Sequence, residues 1–233
     1  MVIKRSDGRK ANELRPITAK VGVIPNADGS ALFAFGNTIA IAAVYGPRRL
    51  HPQHMQDPSK GILRSNYDLL SFSVDERKKP GPSRRSKEIS EVAGWALEPA
   101  IDLKAFPNTV VDVQMYILQA DAGTRTAAIN AASMALAHAG IPMNDLVCSV
   151  AIGKLDKDIV VDLTKEEEDF EEGEGATDFA TAKLANSDEF TLLQMDGKIQ
   201  PERIKEILKM AKEVGEEIYE AQKKALKEVV KED

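Results

Sequence analysis

The segment from Thr109 to Pro142 constrains the fold more than any other part of the chain. Thr109 to Leu118 alternates, with Val111, Val113, Met115 and Ile117 on one side, which is the period of a half-buried strand. That strand runs through Gln119-Ala120-Asp121-Ala122 into Gly123, and after Thr126 the pattern changes. Ala127 to Ala139 is rich in alanine, carries Ile129, Met134 and Leu136, and ends at Gly140 and Pro142, where helices stop. A strand thus delivers the chain through a glycine turn into a helix whose small side chains suit burial. At Gly123-Thr124-Arg125-Thr126, free N–H groups and the positive end of a helix dipole meet two hydroxyls and a guanidinium, which fits an anion such as phosphate. The same spacing also describes a plain helix cap with a solvated arginine.

Elsewhere strands and helices mix. Asp28-Gly29 opens a turn, and Ala31 to Phe35 and Thr38 to Val44 are β-prone runs separated only by Gly36-Asn37, a hairpin signal. From Ser86, the residues Ile89, Val92, Ala93, Ala96 and Leu97 recur at helical spacing and stop before Pro99. Leu146 to Ile152 and Ile159 to Leu163 read as paired strands across Asp156-Lys157-Asp158, and Phe190 to Met195 as another strand. Pro201 to Lys231 reads as a long amphipathic C-terminal helix. The pattern predicts an α/β (α+β) fold of mixed β-sheets packed against helices. With no internal repeat and no linker, residues 1–233 read as a single domain.

Bulk properties narrow the function classes. At 233 residues and 43% hydrophobic content, the chain can bury a substantial core. Cys148 is the lone cysteine, so no internal disulfide forms, and the opening residues lack the apolar core of a signal peptide. The most apolar stretch, Ala31 to Tyr45, is broken by Gly36-Asn37 and is too short to span a bilayer. A cytoplasmic protein without a membrane span is expected. The net charge of −6 argues against a nucleic-acid partner in bulk. Its distribution does not, because Arg77, Lys78, Lys79, Arg84, Arg85 and Lys87 form one basic cluster and Arg48 and Arg49 a second.

Ser83-Arg84-Arg85-Ser86 again sets hydroxyls and guanidiniums at a predicted helix start, where cations oppose the dipole unless an anion joins them. Asp169 and Asp178 flank Phe170 to Thr177, inside an acidic run that contains Glu166, Glu167, Glu168, Glu171, Glu172 and Glu174. Such a run is ordinarily a solvated loop; beside a phosphate site its carboxylates could hold Mg²⁺ or give a proton to a leaving oxygen. His51, His54 and His138 show no metal-ligand spacing, and His138 suits a packed position in the alanine-rich helix. Walker loop, dinucleotide fingerprint and nucleophile elbow are all missing.

Read together, several blocks resemble the RNase PH family, in the branch that supplies the catalytic ring subunit of the archaeal exosome. Ser6-Asp7-Gly8-Arg9 with Glu13-Leu14-Arg15-Pro16 is similar to the family's opening motif. Phe72-Ser73-Val74-Asp75-Glu76-Arg77-Lys78 runs into Arg84-Arg85, and Leu118 to Thr126 and Ala139-Gly140-Ile141-Pro142-Met143 complete the pattern. The resemblance implies a phosphorolytic 3′-to-5′ exoribonuclease that uses inorganic phosphate to release nucleoside diphosphates from single-stranded RNA. It implies that Gly123, Thr124, Arg125, Thr126 and Arg85 bind phosphate, and that Arg84, Arg48, Arg49, His51 and His54 contact RNA. Asp169 and Asp178 match the two active-site acids, as catalytic groups and as ligands of Mg²⁺ or Mn²⁺; Glu168 is the other candidate for the first acid. The implied partners are an inactive RNase PH-like ring subunit, in a hetero-hexamer, and RNA-binding cap subunits. Two departures from the family pattern concern the acids: the stretch between them is longer than usual, and Phe179-Ala180 stands where a Met-Pro pair is common. Two other readings share the fold: a non-catalytic RNA-binding ring subunit, and a self-assembling tRNA-trimming enzyme.

Overall fold

The computed structural model describes residues 5–170 and 175–229. Glu171, Glu172 and Glu174 of the acidic run, and the last two residues of the predicted C-terminal helix, lie outside the described residues.

Two sheets and four helices are built from the predicted segments and several that the sequence pattern did not disclose. β1 (Ile17–Val21), β2 (Gly29–Phe35), β3 (Thr38–Arg49), β4 (Ile62–Leu69) and β5 (Thr109–Gln119) form a five-stranded sheet in the order β1-β2-β3-β5-β4. Its pairs are antiparallel except β4 with β5, which run parallel. The predicted hairpin is β2-β3, with Phe35 opposite Thr38 across Gly36-Asn37. β6 (Val147–Leu155), β7 (Asp158–Val161), β8 (Ala176–Leu184) and β9 (Phe190–Asp196) form a second, antiparallel sheet in the order β7-β6-β8-β9. Helix α1 (Arg84–Leu97) packs on β4 and β9, α2 (Thr124–His138) lies between the sheets, and α4 (Pro201–Val229) covers β1 and β6. A single helical turn, α3 (Lys165–Glu168), precedes Asp169.

The alanines of α2 follow from its position. Ala127, Ala128, Ala131, Ala132 and Ala135 are fully buried because β2 and β3 press on one side and β6 on another. A larger side chain at any of them would push a sheet away. Gly29 obeys the same constraint: a methyl there would fall inside the Ala135 carbonyl and the Ala139 amide. Polar groups inside this layer are paired. Asn130 exchanges hydrogen bonds with the Ser149 backbone at 2.7 and 2.8 Å, and Gln222 of α4 donates to Asn130 Oδ1 and to the Val147 carbonyl, both at 3.0 Å. That network fixes α2, β6 and α4 in one register. His138 accepts a hydrogen bond from the Ser30 amide at 3.3 Å, the packed role expected of it. One continuous apolar cluster runs from Phe33 and Phe35 on the first sheet to Val150, Ile152 and Phe179 on the second.

Candidate active site

The α2 start is the best-defined element of the site. Gly123 is its N-cap at φ 61°, ψ 23°, and Ala122 before it is also left-handed at φ 54°. Alanine rarely adopts that conformation, so surrounding bonds must hold it. Thr38 Oγ1 lies 2.7 Å from the carbonyls of both Asp121 and Ala122, and Arg15 Nη1 also donates to the Asp121 carbonyl. Arg15 in turn makes a two-pronged ion pair with buried Asp162, Nε to Oδ2 at 2.9 Å and Nη2 to Oδ1 at 2.6 Å, while its own amide donates to Oδ2 at 2.9 Å. The turn's carbonyls are therefore engaged from behind. No side chain caps α2, so its first N–H groups remain available to a ligand.

Two more arginines secure the same corner. Arg9 donates to the Asp162 carbonyl at 2.9 Å. Arg5, 3% exposed, grips Glu167 through two bonds of 2.8 Å and also donates to the Val161 and Asp162 carbonyls. Burial raises the pKa of Glu167, and the bonds from Arg5 and from the Thr164 amide more than offset this, holding its carboxyl below the ordinary range. Part of the supposed acidic loop is thus a buried strut. Its signal is legible in retrospect: Thr164 and Glu167 form a reciprocal capping box that starts α3.

A cavity of ≈ 790 Å³ opens over the α2 start. Gly123, Thr124, Arg125, Arg85, Asp169 and Asp178 all line it, joined by Ser83, Glu168, Lys165 and the segment Val74 to Lys78. Arg125 reaches Asp178 of β8, Nη2 to Oδ2 at 3.3 Å. Burial pushes the Asp178 carboxyl above the ordinary carboxylate range; Arg125 pulls it down and Glu168 adds to the rise. Asp169 is exposed, and Lys165 Nζ donates to it at 2.6 Å. Lys165 also ties α3 to the turn, its amide donating to Asp121 Oδ1 at 3.0 Å. Arg85 also lines the cavity, and its charge lowers the Asp178 pKa through space, so an anion bound there would meet two guanidiniums.

Other predicted site residues lie apart from this cavity. Thr126 is buried and its hydroxyl donates to the Gly123 carbonyl at 2.8 Å, so it braces the turn from inside the helix. Arg84 is exposed on the first turn of α1 and does not line the cavity. The basic loop is remote: Thr38 at one end of β3 touches the turn, and Arg49 closes the other end, roughly 35 Å away at about 3.3 Å per residue. There Arg48 pairs with Asp28 at 3.2 Å and lies over the Tyr45 ring, while Arg49, His51 and His54 are exposed. Lysine 78, placed by sequence in the basic cluster, lines the cavity but is paired with Asp68.

Comparison with known proteins identifies the family. Residues 13–142 match the 3′ exoribonuclease family, domain 1 (RNase PH), and residues 145–214 match the same family's domain 2. The chain is 53% identical over 225 residues to "Exosome complex component Rrp41" of Thermococcus kodakarensis, covering 97% of this chain and 89% of that protein. It is 47% identical to the protein of the same name from Archaeoglobus fulgidus, covering 95% and 86%. Among solved structures, rice Rrp46 superposes with a TM-score of 0.85 at 24% identity, covering 96% of this chain and all of that one. The Archaeoglobus fulgidus exosome with RNA bound to the active site gives 0.79 at 23% identity, covering 93% and 92%, so both share the fold. Matched across both domains and nearly half identical or better to curated members, the chain belongs to the 3′ exoribonuclease family of RNase PH type.

Proposed function

We propose that this chain is the catalytic subunit of an exosome ring and shortens single-stranded RNA from the 3′ end by phosphorolysis. The observation that carries this reading is the meeting, in one cavity, of an uncapped helix start, two arginines and a half-buried acid. Inorganic phosphate would sit on the α2 start between Arg125 and Arg85. Bringing that dianion against a phosphodiester incurs a repulsion that the two guanidiniums and the helix dipole offset. A phosphate oxygen attacks the terminal phosphorus, the bond to the 3′ oxygen breaks, and the departing oxygen takes a proton. The products are a nucleoside diphosphate and a chain one residue shorter. Asp178, whose burial favours the protonated form, would supply that proton.

The alternative to this proton is a divalent cation, for which Asp178 would be ionised. Among the described residues no three metal-ligating side chains converge. Mg²⁺ commonly binds through one or two carboxylates and takes its other ligands from water and phosphate oxygens, so Asp178 and Asp169 would suffice, and Mn²⁺ could replace it. When bound, the ion would neutralise charge on the leaving 3′ oxygen.

Relatives named as exosome components support membership of an exosome complex, and the partners proposed within it are an inactive ring subunit and RNA-binding cap subunits. In such a ring the remote loop with Arg48, Arg49, His51 and His54 would guide RNA, together with Arg84 near the cavity. No described helix is long and apolar enough to cross a membrane, and a cytoplasmic location is proposed from the exosome relatives. Incubating the assembled complex with 3′-labelled RNA, with and without phosphate, tests the reading. Diphosphates released only with phosphate are expected; monophosphates formed regardless of phosphate would identify a hydrolase, and no products from an intact ring would leave only a binding role.

A further inference from the structure

Tyr67 takes no part in the chemistry above, yet it bonds to both helices whose starts face the cavity. It lies on β4 with 1% of its surface exposed. Its hydroxyl donates to Thr124 Oγ1 at 2.9 Å, in the first turn of α2. Its backbone amide donates to Ser90 Oγ of α1 at 2.8 Å, and Ser90 passes its own proton to the Ser86 carbonyl at 2.7 Å. Ser86 belongs to the cap of the helix start that carries Arg85. A second link from the same strand, Ser65 Oγ to the Ser90 carbonyl at 2.7 Å, keeps α1 in place beside it.

We propose that Tyr67 is a positioning residue for phosphate, joining the two helix starts and orienting the Thr124 hydroxyl toward the anion. This rests on the phosphorolytic reading above. The orientation follows from counting protons. Two hydroxyls in contact can share a hydrogen bond in either direction, and only one direction suits an anion. With phosphate present, Thr124 gives its proton to the anion, so its oxygen must accept from elsewhere. Tyr67 is the donor placed to do this. Burial pushes the Tyr67 hydroxyl up to about 12, with Thr124, Arg85 and Arg125 pulling the other way, so it keeps its proton at any working pH. Without that donor the Thr124 hydroxyl is free to rotate.

The test uses Tyr67→Phe, which keeps the ring in the core and removes only the hydroxyl. Nucleoside diphosphate release by the assembled complex is followed against inorganic phosphate concentration, alongside Thr124→Val and the double variant. A roughly fivefold rise in the phosphate KM is expected for Tyr67→Phe, with kcat nearly unchanged, as for one neutral hydrogen bond. In the Thr124→Val background the tyrosine change should add nothing, because its effect passes through Thr124. An unchanged phosphate KM in a folded Tyr67→Phe variant overturns the proposal, as does a full additional loss in the double variant. Should Tyr67→Phe not fold, Thr124→Ser against Thr124→Val decides: equal phosphate KM values in those two overturn it. A wild-type rate independent of phosphate is a separate result, and it removes the phosphorolytic reading itself.

Discussion

The two helix starts that face the cavity are built on opposite plans. α1 closes itself: Ser83 Oγ accepts from the Ser86 amide at 3.0 Å, and the Ser86 hydroxyl lies 2.6 Å from the Ser83 amide. Those donors are spent inside the helix, so α1 offers the ligand chiefly its cation, Arg85. α2 has only Gly123 at its cap and leaves its donors open. The turn before α2 is instead held through its carbonyls by distant parts of the chain: Thr38, Arg15 and, through it, Asp162. An open anion seat is thus a local deficit made good by long-range bonds, and the two plans separate binding from support.

The largest effect should come from the acid that faces both starts. Asp178→Asn keeps the shape and removes the titrating proton, and turnover should fall roughly 10²- to 10⁴-fold while RNA binding is retained. Loss of RNA affinity in parallel would assign Asp178 to binding instead. The sign of the pH effect follows from its raised pKa. The fold favours the neutral carboxyl, so its stabilising contribution is complete below the unfolded pKa and is lost as pH rises through the folded one. Activity that depends on that proton should fall over the same rise, above the ordinary carboxylate range. Thermal melts from acid to neutral pH should show this slope in the wild type and lack it in Asp178→Asn.

Support of the open seat comes next. Asp162 is left-handed at φ 55°, a conformation asparagine tolerates, so Asp162→Asn tests the ion pair with Arg15 without backbone strain. Removing one charge of a buried pair should cost about 3 kcal/mol of stability, read from denaturant unfolding. A change under about 1 kcal/mol would mean that the seat does not depend on this pair. The seat's own cation follows: Arg125→Ala should raise the phosphate KM roughly tenfold or more, as charge-assisted bonds are lost, and change RNA affinity little. An unmoved phosphate KM would take Arg125 out of the site.

How much of this was legible follows the same division between local and distant. β5, the glycine turn and α2 were readable because alternation, turn and alanine run are properties of neighbouring residues. The α1 start was read two residues late, since Arg84 and Arg85 carry no apolar signal; the Ser83–Ser86 capping box marks it instead. β1, β4 and β8 escaped: β4 alternates weakly because it is half-buried on an edge, and β8 is buried almost continuously and so shows no period. In the site, the family resemblance brought Arg85, Asp169 and Asp178 to the turn, which spacing alone could not do. Arg15 and Arg9 entered only as motif letters. Their work depends on Asp162, about 150 residues away, and nothing local in the sequence predicts that pairing.

The smallest effect isolates the closed start. Ser83→Ala removes the cap of α1 and leaves Arg85 in the chain, so the contrast with α2 makes a specific demand. Stability should fall by about 1 kcal/mol, the usual cost of losing a serine N-cap. The phosphate KM should change no more than about twofold, since the Ser83 side chain is committed to the Ser86 amide in the wild type and the Arg85 guanidinium is left unchanged. A large rise in the phosphate KM would show that the Ser83 hydroxyl, which also lines the cavity, turns from its cap to the anion. In that case α1 would be a second open seat, and the two helix starts would share one plan.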